Sequence, residues 1–169
     1  RSGAASITSG AINTGVGSET LSVSGSGTFA DKHVASGKTV TVSDVATLSK
    51  TDGTGSWANY NLTTTGALST TASITPRALS LSAVTASKTY DGTTSALGSA
   101  VATQSTQLLG TDTVSGGPFA FPNKNASTGD KVVTVSGVTI DDGNNGGNYS
   151  VTYVDNTTST ISKANLTLK

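Results

Sequence analysis

The stretch FADKHVASGKTVTV, residues 29–42, returns with one inserted residue as FPNKNASTGDKVVTV, residues 121–135. Both versions open on phenylalanine, cross a short polar turn and close on valines that alternate with small polar residues. A period of two puts every second side chain on one face, the mark of a strand buried on one side. Working outward, VGSET (16–20) answers LGTDT (109–113), ANYNL (58–62) answers GNYSV (147–151), and ASITPRALSL (72–81) answers STISKANLTL (159–168). A spacing of about ninety residues is too long for a solenoid repeat and suits a small domain used in series.

The spacing divides the chain into residues 1–76 and 77–169, joined near Thr75-Pro76-Arg77, because proline cannot donate to a sheet ladder and marks a strand edge or linker. Arg1 aligns with Thr94, so the first repeat is expected to lack its opening strand. KANLTLK (163–169) matches the RALSLS that opens the second repeat, and is expected to open a third. The sequence therefore reads as a window on a longer, elongated array.

Further alternating runs are expected strands: NYSVTYV (148–154), ALSLSAV (78–84) and NLTL (165–168). SGSG (24–27), KTDGTGS (50–56) and DDGNNGGN (141–148) are expected to punctuate them. SDVATLSK (43–50) has a helix-like start, but its counterpart SGVTIDDG contains Gly137 and reads as a strand, so a strand is expected in both. Short helices or turns are expected at most within residues 95–109 and 123–127. The fold class is all-β or strongly β-dominated, with little helix.

Among 169 residues there are ten basic and ten acidic side chains, no cysteine and no methionine. Without a clustered basic surface, a nucleic-acid partner is not expected. No apolar run is long enough for a membrane-spanning helix, so no membrane insertion is expected. A disulfide scaffold is excluded. The sole histidine, His33, and the sole glutamate, Glu19, offer neither a zinc set nor a catalytic pair, and no enzymatic activity is expected.

KTYDGTT, residues 88–94, is the most distinctive motif and occurs once. Tyr90 is expected to bury its ring at a strand end, Asp91 to cap a turn and Gly92 to take positive φ. Asn59-Tyr60 and Asn148-Tyr149 read alike, as a turn asparagine entering a strand through a core aromatic. Asp141, Asp142 and Asn144 carry hard oxygens of the kind calcium prefers, but their spacing is not that of an EF-hand loop or a Gly-rich nonapeptide repeat, and a plain hairpin explains them as well. No resident metal or cofactor is expected. Trp57 is the place where a sugar ring would stack if the chain bound glycans. Lys124, between Asn123 and Asn125, is poorly placed for an amide cross-link, and none is expected. Asn61, Asn125, Asn148, Asn156 and Asn165 begin Asn-x-Ser/Thr sequons.

SKTYDGTTSA (87–96), then LGTDTV (109–114), the F-x-N-K-N-A-x-T-G of 121–129, and the G-N-Y of 147–149 occur in an order that resembles the YDG-type repeat family. T-x-x-I-T-P-R-A-L in the first copy (71–79) adds to it. The first copy departs from the pattern, having Asp31-Lys32-His33 for Asn123-Lys124-Asn125 and no Tyr-Asp-Gly. The resemblance, shared with MBG modules, implies two tandem β-grasp-like or sandwich-like domains. It implies a non-catalytic stalk or spacer in a filamentous-haemagglutinin-like adhesin, exported by two-partner secretion to the bacterial cell surface and serving adhesion or biofilm. Its partners would be neighbouring repeats of the same chain. The competing expectation is a module that binds an extracellular glycan or a host surface protein through variable loops.

Overall fold

The computed structural model describes residues 3–97, 101–102 (as backbone) and 107–168. These residues are strongly β-dominated, with two single-turn 3-10 helices among them. They fall into two compact units, Arg1–Thr75 and Pro76–Lys169.

In the first unit, β1 (Ala4–Thr8), β2 (Ile12–Asn13), β3 (Thr20–Phe29), β4 (Ala35–Val42), β5 (Ser49–Asp52) and β6 (Leu68–Ile74) form one sheet. β3 is its hub. The Leu21 end of β3 pairs with β2 and β5, and the Phe29 end pairs with β1 and β4; all are antiparallel. β6 completes the sheet on the far side of β4. The alternation of 39–42 puts Val40 and Val42 inside, with Leu21 and Val45.

The SGSG of 24–27 lies within β3 rather than between strands. Space is the reason. A Cβ on Gly27 would stand 2.6 Å from both Ile7 Cδ1 and Val40 Cγ1, and one on Gly25 would stand 2.4 Å from Leu48 Cδ2. These glycines are sockets for apolar side chains of the neighbouring segments.

The second unit holds β7 (Arg77–Ser82), β8 (Ser87–Thr89), β9 (Ser95–Ala96), β10 (Val101–Ala102), β11 (Thr113–Gly116), β12 (Phe119–Ala120), β13 (Ser127–Val135), β14 (Val138–Asp141), β15 (Tyr149–Val154) and β16 (Asn156–Ser162). β7 runs between β10 and β15 and is parallel to β15; β8 is parallel to β16. A five-stranded sheet runs β8-β16-β13-β12-β9, and β11 pairs with β14. One apolar cluster joins Ala83, Ala86, Phe119, Phe121, Val133, Val135 and Ile161. A second joins Leu79, Leu81, Ile140 and Tyr149.

Several local expectations need correction. Residues 45–47 form a 3-10 turn, because Asp44 Oδ1 accepts the Ala46 N–H at 2.9 Å and caps it. The helix-like start of that segment was a real signal. Residues 123–127 hold no helix; Asn123 Oδ1 takes the Asn125 N–H and bends the chain. Within 95–109, β9 and β10 are short strands, while 98–100 and 103–106 lie outside the described residues. Residues 165–168 are in no strand, and Leu166 and Leu168 are each 88 % exposed.

Replacing Gly27 with alanine should destabilise the first unit by about 1–3 kcal/mol through overpacking, read as a lowered first melting transition with the second unchanged. A variant that melts like the parent would refute the socket reading of β3.

Candidate functional site: paired polar joints in the two units

The distinctive motif is organised by its lysine. β8 delivers Lys88, whose ammonium donates to Asp91 Oδ1 at 2.8 Å and to Thr93 O, Thr93 Oγ1 and Ser95 O at 2.9 Å each. Its charge also lies 5.7 Å from the Phe121 ring centroid. Asp91 Oδ1 accepts the Thr93 N–H at 2.9 Å, and Gly92 supplies φ 81° for the turn between them. The Lys88 hydrogen bond and then those from Thr93 depress the Asp91 carboxyl to about 2.

Tyr90 is not the anchor the sequence led us to expect. It is 39 % exposed, although its N–H continues the ladder to Ser162 O at 2.8 Å. β8 ends at Thr89, so Tyr90 lies just past the strand, where the inward position of the strand end is already filled by Lys88 reaching Asp91 and Ser95.

The other motif tyrosines do anchor. Tyr149 opens β15, is buried, donates its hydroxyl to Asp112 Oδ2 at 2.7 Å and accepts the Leu109 N–H at 2.9 Å. Burial first, and then the Asp112 carboxylate, push its hydroxyl above the usual tyrosine range. In the first unit Tyr60 is half-buried, donates to Glu19 Oε2 and lies 3.1 Å from Thr14 Oγ1. Glu19 likewise raises its hydroxyl. Tyr60 follows the 3-10 turn Trp57–Asn59 but enters no strand, contrary to expectation; Asn59, the last residue of that turn, is exposed. The two carboxylates, Glu19 and Asp112, stand at matching places in VGSET and LGTDT. They looked inert in the sequence because each partner is about forty residues away.

A second pair of joints lies in the opening stretches themselves. Lys38, its side chain nearly buried, reaches back to Asp31 as an ion pair. Lys131, also buried, reaches back to Asn123 Oδ1 at 2.7 Å. The aligned lysine thus ties the turn to the strand in both units, with a carboxylate in one and an amide in the other. Lys38 first, then the His33 N–H, lowers the Asp31 carboxyl.

In DDGNNGGN, Asp142 is buried and faces N–H donors. Its Oδ1 accepts from Asn144 N at 2.7 Å and Gly146 N at 2.8 Å, and its Oδ2 from Asn148 N at 2.9 Å. Burial opposes the charged form, but these backbone donors outweigh it and hold the carboxyl below its ordinary value. Asn148 Oδ1 accepts from Asn144 Nδ2 at 3.0 Å, and Asp141 points to solvent at the end of β14. Of the residues considered for calcium, Asp142 has both carboxylate oxygens taken by the loop's own N–H donors, a carboxylate in a nest. An open cavity of about 860 Å³ is lined by residues of β11 and β14, by Gly143, Asn145 and Gly146 of the loop and by Val151 of β15, with Asp141 its one ionisable group.

Trp57 is half-buried. Its Nε1–H is shared between Ser22 O at 3.1 Å and Thr51 O at 3.0 Å, its N–H goes to Asp52 Oδ1 at 2.7 Å, and Lys50 Nζ stands 5.5 Å from its ring centroid. The indole fastens the turn to β3 and β5. Among the sequon asparagines, Asn61, Asn125 and Asn165 are exposed. The Asn156 side chain is taken up by Thr85, Thr158 and Ser159.

Two outcomes follow from these joints. Tyr149→Phe leaves the Leu109 N–H without its acceptor and should cost the second unit about 1–3 kcal/mol in calorimetry. Tyr90→Ala should cost less than about 1 kcal/mol, as exposed positions do; the reverse order would contradict the assignment. Because the Asp91 carboxyl is depressed, its turn is fully stabilised above the ordinary carboxyl range and loses that support as pH falls through about 2. The Thr93 amide resonance should titrate there, and a midpoint near 4 would show that the Lys88 contact is absent in solution.

Comparison with known protein families matches residues 75–161 to the YDG domain. No curated protein and no solved structure matches the chain. The matched residues run from the Thr75-Pro76 step through Tyr90-Asp91-Gly92 to Ile161, and so take in β7 to β16 with few exceptions at the margin. With more than half of its length in that match, the chain belongs to the YDG domain family.

Proposed function

We propose that the chain is a non-catalytic spacer built of tandem YDG-type repeats, part of the stalk of a filamentous-haemagglutinin-like adhesin secreted to the bacterial cell surface. The observation that carries this reading is that aligned positions hold the same joints in both units. Tyr60–Glu19 answers Tyr149–Asp112, and Lys38–Asp31 answers Lys131–Asn123. Apart from the exposed Tyr90, the distinctive residues are consumed in fastening strands and turns, which is what a load-bearing module requires and what a ligand site does not. Valine, isoleucine, leucine and phenylalanine pack the units, and polar joints stand in for the disulfides that the sequence does not supply.

A binding role would run through Trp57, whose half-buried indole is a large aromatic a sugar could stack on. Its Nε1–H is already committed to Ser22 and Thr51, which favours an anchoring role. Screening the chain on a glycan array and a panel of extracellular matrix proteins should give no saturable signal. Saturable binding lost in Trp57→Ala, with the melting transitions retained, would replace the spacer reading with the binding one.

A further inference from the structure

Three asparagines lie in the loop between β14 and β15, and two of them are tied. Asn144 Nδ2 donates to Asn148 Oδ1 at 3.0 Å, and Asn148 Nδ2 donates to Asp142 O at 3.3 Å. Asn145 between them is exposed, and its side-chain amide has no hydrogen bond among the described residues. Asn145 is also the one described residue other than glycine with positive φ, at 53°. Of the chain's ten asparagines, it alone precedes a glycine.

Glycine leaves its own peptide nitrogen uncovered, so a neighbouring carbonyl carbon can approach it closely. The Gly146 nitrogen is held in place, because its N–H donates to Asp142 Oδ1 at 2.8 Å. The first unit keeps that bond without the reactive pair. When ANYNL is set on GNYSV, Trp57 falls on Gly146 and Ser56 on Asn145, and the Trp57 N–H likewise goes to Asp52 Oδ1 at 2.7 Å. Asp52, Asp91 and Asp142 precede glycines as well. Each is a carboxylate engaged by donors, and a carboxylate is a poorer electrophile than an amide.

We propose that Asn145 is a self-modification site, converted by attack of the Gly146 nitrogen to isoaspartate, which opens the Asp142 nest and loosens the start of β15. The Gly146 nitrogen bonds to Asn145 Cγ and gives up its proton. The Cγ–Nδ2 bond breaks, and Nδ2 leaves with that proton as ammonia. Water then opens the five-membered ring. Opening at the main-chain carbonyl leaves the backbone running through Cβ and Cγ, with a new carboxylate on Cα. The ring stage removes the N–H that Asp142 Oδ1 holds. The product lengthens the loop by one backbone atom and places a further negative charge beside Asp141 and Asp142. Both changes work against the nest that delivers Asn148 and Tyr149 to β15. The attack waits on release of the Gly146 N–H from Asp142, so the fold sets the rate.

Ageing of the intact chain at mildly alkaline pH, folded and in denaturant, tests this. Trypsin releases the loop in one peptide, residues 132–163, and electron-transfer fragmentation separates isoaspartate from aspartate. Asn145 should be modified before any other asparagine in the folded chain, and more slowly there than in denaturant. Asn145→Ser, which installs the first unit's residue, should abolish the product and keep both melting transitions. The purified isoaspartate form should show a lowered second transition, an unchanged first one, and amide exchange about tenfold faster in Tyr149–Val154. An Asn145 that stays intact in the folded chain overturns the inference, as does another asparagine reacting first. Equal rates in the folded and denatured chains would show that the nest does not govern the step. An isoaspartate form that melts like the parent would remove its consequence for β15.

Discussion

The parallel ladder between β7 and β15 is the constraint on which the second unit depends. It buries Leu79 and Leu81, and in doing so fixes where β15 begins. Tyr149 stands at that beginning, and its hydroxyl then reaches Asp112 and the Leu109 N–H across the cluster. The Asp142 nest sits directly upstream and holds Asn148, so the loop enters β15 in one conformation. Each joint presupposes the strand position set by the one before it, which is why the cluster can be small and still specific.

The first unit shows the same sequence elements without that ladder. Tyr60 and its carboxylate meet, but the chain after Tyr60 forms no strand. Side chains that align with buried ones are less covered: Phe29 is half-buried against 2 % exposure at Phe121, and Ile74 is half-buried against 0 % at Ile161. Val40 and Val42, which face β3 and β6 in a sheet complete without the opening strands, are as buried as Val133 and Val135. In the second unit Phe121 and Ile161 share one apolar cluster with Ala83 and Ala86, which lie between β7 and β8.

Alternation made the long strands legible. The Val pattern of 39–42 and 131–135 marks β4 and β13, and the Leu pattern of 78–81 marks β7. The glycines of β3 were misread because the same residue serves a turn and a close approach, and only the neighbours Leu48, Ile7 and Val40 distinguish them. NLTL carries a strand's pattern but not its structure, since a strand needs a partner as well as a period. The joints were hidden for a different reason. Glu19 with Tyr60, and Lys88 with Ser95 and Phe121, are polar pairings across strands, and no local period encodes them. The aligned positions of Glu19 and Asp112 were the one available signal. Tyr90 drew attention through its rarity, whereas Lys88 two residues earlier organises the turn.

The account therefore turns on the opening strand as the element that completes a unit. Amide hydrogen exchange measured residue by residue in the intact dilute chain tests it most directly. The account predicts slow exchange in Tyr149–Val154 and exchange faster by orders of magnitude at the aligned residues 60–65, with Val40–Val42 and Val133–Val135 protected alike. Equal protection of the two tyrosine segments would contradict it, because the first unit would then be complete without the strand that the second unit cannot spare.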